Sequence, residues 1–277
     1  MFRVPTNRVK FGRTKASVGM DSPNPTSVAA VLFQPTDLPN LNVWLQASTI
    51  AQADNTGVAT WTDSSGRSQT ATQAVSASQP TYKTNVINGL PVVRFNGSGN
   101  NLVINAISAS VVVNFNAGAT IFLVASGSSG TMSGNNPLLT AATTGNDYDA
   151  GDTLLLSTGY TSPNNPSGWN STFRGVQNTN VSTPFRSWYY WSYQVSVSGG
   201  NITQISRKSG TQIETKTGAG SGNSAPTKMN IGARITGGSY TGGYYFGDIA
   251  EVIIYSTDIG AANVVQVENY LKAKYAL

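Results

Sequence analysis

WYYWSYQVSVSGGNITQIS, residues 188–206, is the stretch that decides how the chain folds. Aromatic and β-branched residues flank a Gly199-Gly200 pair. That is the pattern of two antiparallel strands joined by a two-residue turn, whose backbone needs the positive φ that glycine tolerates. Side chains alternate across a strand. Trp188 and Tyr190 therefore share one face, and Tyr189, Trp191 and Tyr193 the other. One face is core. The second is either a sugar platform, since flat rings present apolar area with polar tips, or a packing surface between layers or subunits.

The same grammar extends in both directions. Residues 41–47 (LNVWLQA), 58–66 (VATWTDSSG), 119–127 (ATIFLVASG), 152–159 (DTLLLSTG) and 228–235 (KMNIGARI) are short apolar or alternating runs closed by turn residues. Residues 90–104 (LPVVRFNGSGNNLVI) read as strand, Gly/Asn turn, strand. Short runs of this kind at regular turn spacing predict an all-β sandwich or jelly roll. Helical spacing occurs once, in residues 259–277 (IGAANVVQVENYLKAKYAL), where Val264, Val267, Leu271 and Tyr275 fall on one face. Ser256, Thr257 and Asp258 are candidate caps. Glu268 precedes Lys272 by four residues, the favourable order, and Lys272 and Lys274 suit the helix C-terminus. A terminal helix of this kind is expected to cover an edge or end of the sandwich.

Composition narrows the chemistry. Of 277 residues only 10% are charged, 39% are hydrophobic, and there is neither His nor Cys. Disulfides, thiolate metal sites, and Ser-His-Asp or Cys-His catalysis are excluded. The net charge is +5, and Arg3, Arg8, Lys10, Arg13 and Lys15 carry five positives before the first acid, Asp21. The other twelve cations balance the twelve acids. Residues 1–38 lack periodicity and hold Pro5, Pro23, Pro25 and Pro35. They read as an extended basic arm and linker, and residues 39–277 as the globular domain. No signal peptide and no apolar run of membrane-spanning length is evident. The expectation is a cytoplasmic start for a chain whose Thr/Asn/Gly-rich body suits an exposed surface, a combination that a virion protein satisfies.

In FGDIAEVIIYS, residues 246–256, Asp248 and Glu251 stand three apart. Regular alternation puts them on opposite faces, so they are not expected to flank one glycosidic bond as paired carboxyls. Ala250, Val252 and Ile254 read as the core face, with Glu251, Ile253 and Tyr255 on the other.

These segments together resemble a laminin-G-like domain of the concanavalin-A-like lectin/glucanase superfamily. The resemblance rests on Trp44 in the first strand and the Trp61, Asp63, Ser65, Gly66 turn. It is continued by residues 87–97 (INGLPVVRFNG), by residues 246–255, and by Tyr270 to Tyr275 in the helix. It covers residues 41–277 and implies an all-β, two-sheet antiparallel jelly-roll sandwich. The Glu/Asp strand spacing by which the superfamily's glucanases resemble one another is absent.

Three further candidates follow. Asp147, Asp149 and Asp152 cluster in NDYDAGD. Calcium would find oxygen ligands there, although Gly151 and Thr158 depart from the EF-hand pattern; a polar loop is the competing reading. Trp188 and Tyr190, with Tyr240, Tyr244 and Tyr245 of SYTGGYYFG, are the candidate glycan-binding aromatics. The five arm cations are the candidate partner contacts. An acidic protein lattice suits them better than nucleic acid, which is recognised by domains that are basic as a whole. The expected function is a non-enzymatic virion structural protein of bacteriophage type, namely a capsid decoration protein held by its arm to a capsid or other virion protein. No cofactor is required, and self-association is left open. The alternative is a carbohydrate-binding adhesin module of a tail or cell surface, directed at a host-surface glycan.

Overall fold

A computed structural model describes residues 32–104, 113–114, 116–127, 136–142, 153–158, 168–182, 187–221, 226, 228–235 and 243–277. The strands among them are β1 (Leu41–Gln46), β2 (Thr60–Trp61), β3 (Ala71–Thr72), β4 (Thr81–Ile87), β5 (Leu90–Asn96), β6 (Leu102–Ile104), β7 (Ala119–Gly127) and β8 (Asn136–Ala142). They continue as β9 (Thr153–Thr158), β10 (Gly168–Phe173), β11 (Val176–Ser182), β12 (Tyr189–Ser198), β13 (Asn201–Lys208), β14 (Thr211–Ala219), β15 (Lys228–Ile231) and β16 (Phe246–Tyr255). One helix, α1 (Ala261–Tyr275), closes the chain.

Two antiparallel sheets result, as the strand pattern predicts. The first runs β14-β13-β12-β7-β16-β5-β4, with β1 also paired to β16; the second runs β11-β10-β9-β8-β15-β6-β3-β2. The β12–β13 hairpin pairs Ser198 with Asn201 around Gly199 (φ 57°) and Gly200 (φ 81°). Positive φ at both turn positions matches the right-handed twist of the flanking strands. By contrast, β5 and β6 lie in different sheets, so the Gly/Asn segment between them carries the chain across the sandwich.

Phe33–Leu277 forms one compact unit. Its inter-sheet core includes Val93, Phe95, Leu123, Leu139, Leu154, Trp191, Met229 and Val252. A second apolar layer lies on the outer face of the first sheet, beneath α1. There Val264, Val267, Leu271 and Tyr275, all buried, meet Trp44, Phe122, Val124, Tyr190 and Ile253. The helix thus covers a sheet face rather than an edge or end. Fully burying an aliphatic side chain stabilises by about 1.5–3 kcal/mol, so this layer is a second core.

Three local expectations change. The N-cap of α1 is Gly260, with no side-chain cap; Asp258 Oδ1 instead accepts the Gly260 N–H at 2.8 Å. Glu268 is buried and turns away from Lys272 toward β13. The alternation of β16 also breaks. Its first half pairs with β5 through Ile249, its second half with β1 from Glu251 onward, and on its other side the register against β7 shifts between Ile249 and Glu251. A bulge of this kind adds one residue and resets which side chains face the core. Ile249, Val252 and Ile254 enter the inter-sheet core, while Ala250, Ile253 and Tyr255 join the helix layer. Asp248 and Glu251 therefore share a face, contrary to strict alternation.

Candidate functional site

Sharing a face does not make Asp248 and Glu251 a working pair. Asp248 receives a bidentate fork from Arg94, Nε at 2.7 Å and Nη2 at 2.8 Å. Glu251 is fully buried and accepts from four groups: Trp44 Nε1 at 2.6 Å, Tyr270 OH at 3.1 Å, Lys274 Nζ at 2.6 Å and Tyr275 OH at 2.7 Å. Lys274 also lies 5.4 and 5.3 Å from the centroids of the Tyr270 and Tyr275 rings. Burial, and then the neighbouring Glu251 charge, push the pKa values of both tyrosines well up. Residues scattered over the signature segments (Trp44, Glu251, Tyr270, Lys274, Tyr275) thus meet in one clasp that pins α1 to β1 and β16. Asp63 does the same for its turn. Its carboxylate accepts from the N–H groups of Trp44, Ser65 and Gln69 at 2.8–2.9 Å and from Ser65 Oγ at 2.6 Å. Glu268 accepts Ser192 Oγ at 2.6 Å and a bidentate Arg207 at 2.8 and 3.0 Å. These four carboxylates are committed to structure.

The aromatic platform predicted on β12 is not free. Trp188 and Tyr190 face the helix layer, and Tyr189, Trp191 and Tyr193 face the inter-sheet core. Both faces of the strand are packed. Tyr245 is fully buried and stacks edge-on against Phe95, centroids 6.0 Å apart. Tyr190 and Tyr245 are therefore built into separate cores rather than into a common surface. Tyr240, Asp147, Asp149, Asp152 and the arm cations Arg3, Arg8, Lys10, Arg13 and Lys15 lie outside the described residues.

Tyr244 stands elsewhere. It is half-buried and bridged to Ala233. The Ala233 carbonyl accepts from Thr140 Oγ1 at 3.0 Å and Asn230 Nδ2 at 2.9 Å. Asn230 Oδ1 accepts from Asn101 Nδ2 at 3.0 Å, and Asn101 Oδ1 from Gln73 Nε2 at 2.7 Å. This chain of amides and hydroxyls belongs to the outer face of the second sheet. One register line crosses that sheet from edge to edge through Thr60, Thr72, Val103, Asn230, Thr140, Leu155, Thr172 and Gln177. No charged side chain interrupts it. Its polar members, Thr60, Thr72, Asn230, Thr140, Thr172 and Gln177, carry hydroxyls and amides, which both donate and accept, and Val103 and Leu155 lie between them. Thr60 and Gln177, at its ends, are exposed, while Thr140 and Asn230, at its centre, are buried. Strand patterning does not single these residues out, because small polar residues alternating with apolar ones read as ordinary solvent-facing positions.

No protein-family model and no curated protein matches the sequence. Among solved structures, the chain is similar in fold to domain 4 of an extracellular arabinanase from Geobacillus stearothermophilus, determined with arabinotriose. The TM-score is 0.52 and the identity 13%, over 83% of this chain and 98% of that one. It is similar to an arabinofuranosidase complexed with arabinofuranosyl-alpha-1,2-xylobiose (TM-score 0.53, 14% identity, 76% of this chain and 50% of that one). It is also similar to Trypanosoma rangeli sialidase (TM-score 0.52, 16% identity, 83% of this chain). The match spans 33% of the sialidase, about a third of its length. At these identities the likeness is one of fold, and it agrees with a concanavalin-A-like sandwich. It also corrects the functional expectation: the fold's solved relatives named here are glycoside hydrolases or a domain of one, not virion components, which overturns both the capsid-decoration reading and the non-enzymatic one.

Proposed function

We propose that the chain is a carbohydrate-active β-sandwich that holds a neutral oligosaccharide against the outer face of its second sheet, with Tyr244 at the rim. The observation that carries this reading is the uncharged line from Thr60 to Gln177, with Tyr244 bridged to the segment that crosses its centre. The outer face of the first sheet is closed by α1; on the second, the positions of the line open to a ligand are its ends, Thr60 and Gln177, and the half-buried Thr72 and Val103. Two facts lend support. The fold's relatives include a domain seen with arabinotriose, matched over almost its whole length. Trp44, Glu251, Tyr270, Lys274 and Tyr275, drawn from three of the laminin-G-like signature segments, also meet in a single structural clasp, which supports the finer family reading.

The test is calorimetric titration with neutral arabino- and xylo-oligosaccharides, with parallel incubations read for new reducing ends to score cleavage. Binding is expected, weakened about 2- to 10-fold in Tyr244→Ala, the worth of one aromatic contact. A panel of neutral oligosaccharides showing neither binding nor cleavage overturns the reading.

A further inference from the structure

Away from the sheet face, a hollow of about 360 Å3 opens between the segment entering β1 and the turn after β2. This is at the small end of the roughly 300–1,000 Å3 usual for small-molecule sites. Leu38, Pro39 and Leu41 supply apolar wall, Asn40 and Ser65 supply polar groups, and Arg67 stands on the other side. Arg67 is exposed, and among the described residues its guanidinium meets no carboxylate. Its backbone is nonetheless fixed. Its backbone N–H donates to Ser65 Oγ at 3.1 Å, and its carbonyl accepts Gln69 Nε2 at 3.2 Å. Ser65 Oγ reaches the Asn42 carbonyl at 3.1 Å, and the Ser64 N–H the Trp44 carbonyl at 2.7 Å, so the two walls are tied together. The carboxylates of the neighbouring turns are occupied: Asp63 by the donors above, and Asp37 by the Gln34 N–H at 2.8 Å.

A guanidinium that meets no carboxylate among the described residues, carried on a fixed backbone beside an apolar wall, is a receptor for a carboxylate attached to a compact ring. The guanidinium fork takes both carboxylate oxygens, and the wall takes the apolar face of the ring. We propose that this hollow binds a carboxylate-bearing sugar unit of the uronic-acid type, its carboxylate on Arg67. The site is distinct from the neutral line on the second sheet and stands or falls independently of it. Neutral polysaccharides and acidic ones would then be read by different parts of one molecule.

The experiment titrates the full chain with glucuronic acid, glucose, acetate and inorganic sulfate, following the backbone amide resonances of Gly66 and Arg67. Expected is millimolar binding of glucuronic acid, the range that one small ligand reaches at a shallow site. It should be at least about 10-fold tighter than for glucose or acetate, weaken as salt rises, and be lost in Arg67→Gln. Arg67→Lys, which keeps the charge and loses the fork, should recover only part. Circular dichroism of both variants controls for folding, and exposure of Arg67 leaves no packing to lose. Competition separates the two sites: saturating neutral oligosaccharide should leave the glucuronate shifts in place. Equal affinity for glucose, acetate or sulfate, or unchanged glucuronate binding in Arg67→Gln, overturns the proposal.

Discussion

Replacing Lys274 with methionine tests whether the clasp beneath α1 holds the fold as its geometry implies. Methionine keeps an unbranched stem of similar reach and removes the ammonium. Lys274 Nζ currently bonds Glu251 Oε2 at 2.6 Å, Gln46 Oε1 at 2.7 Å and Tyr270 OH at 3.0 Å. Its loss leaves the Glu251 carboxylate, fully buried, without a counter-charge. Removing one partner of a buried ion pair costs about 3–5 kcal/mol. Trp44, Tyr270 and Tyr275 still donate to Glu251, and the Lys274 side chain is 18% exposed, so the low end, about 3 kcal/mol, applies. For a body the size of Phe33–Leu277 each kcal/mol is worth about 2–4 °C of Tm, which gives a fall of about 6–12 °C. Thermal unfolding followed by calorimetry measures it. Glu251→Gln should fall comparably, since the new amide turns a donor toward Lys274 or the tyrosines. The double variant should lose less than the sum of the two, because directly bonded residues couple by about 0.5–3 kcal/mol. A Tm within about 2 °C of the parent for Lys274→Met, or strict additivity in the double variant, refutes the reasoning.

Two further outcomes follow from the same layer. Glu268 is bonded to Arg207 on β13 rather than to Lys272, so Arg207→Ala should lower stability by about 2–4 kcal/mol, whereas Lys272→Ala should stay within about 0.5 kcal/mol; chemical denaturation of the two variants discriminates. Burial raises the pKa of Tyr193, Tyr245, Tyr255, Tyr270 and Tyr275 above the ordinary value. Because the folded value lies above the unfolded one, their contribution is whole below about pH 10 and is lost as pH rises beyond it. Tm should therefore drop above that pH, with tyrosinate absorbance from these rings appearing only as the chain unfolds. Complete tyrosine ionisation near pH 10 with circular dichroism unchanged would contradict this.

Much of the fold is legible in the chain, and the reasons are local. The Gly199-Gly200 turn declares its hairpin because only positive φ fits there. The helix declares itself by the spacing of Val264, Val267, Leu271 and Tyr275, all four buried as that spacing demands. Strand runs such as 119–127 show continuous apolarity because β7 lies between two cores. The candidate site is less legible. Aromatic residues on β12 look like a platform because a sequence shows that a face is apolar, not what lies against it. Here α1, some seventy residues later in the chain, covers it. Thr140, Asn230 and Tyr244 become neighbours only through strand pairing and an isolated bridge, and Arg67 faces Leu38 and Pro39 only because two separate turns dock.

By itself, the sequence determined the class: an antiparallel β-protein with a terminal amphipathic helix, without disulfide, thiolate or histidine chemistry, because periodicity and composition are properties of neighbouring residues. Tertiary structure alone decided which side of β16 its acids occupy. One inserted residue at the bulge, where the partner strand changes from β5 to β1, moves Glu251 onto the same face as Asp248. Alternation is a local rule, but the bulge is a register shift against β7, about 125 residues earlier in the chain. No pattern within residues 246–256 records that pairing.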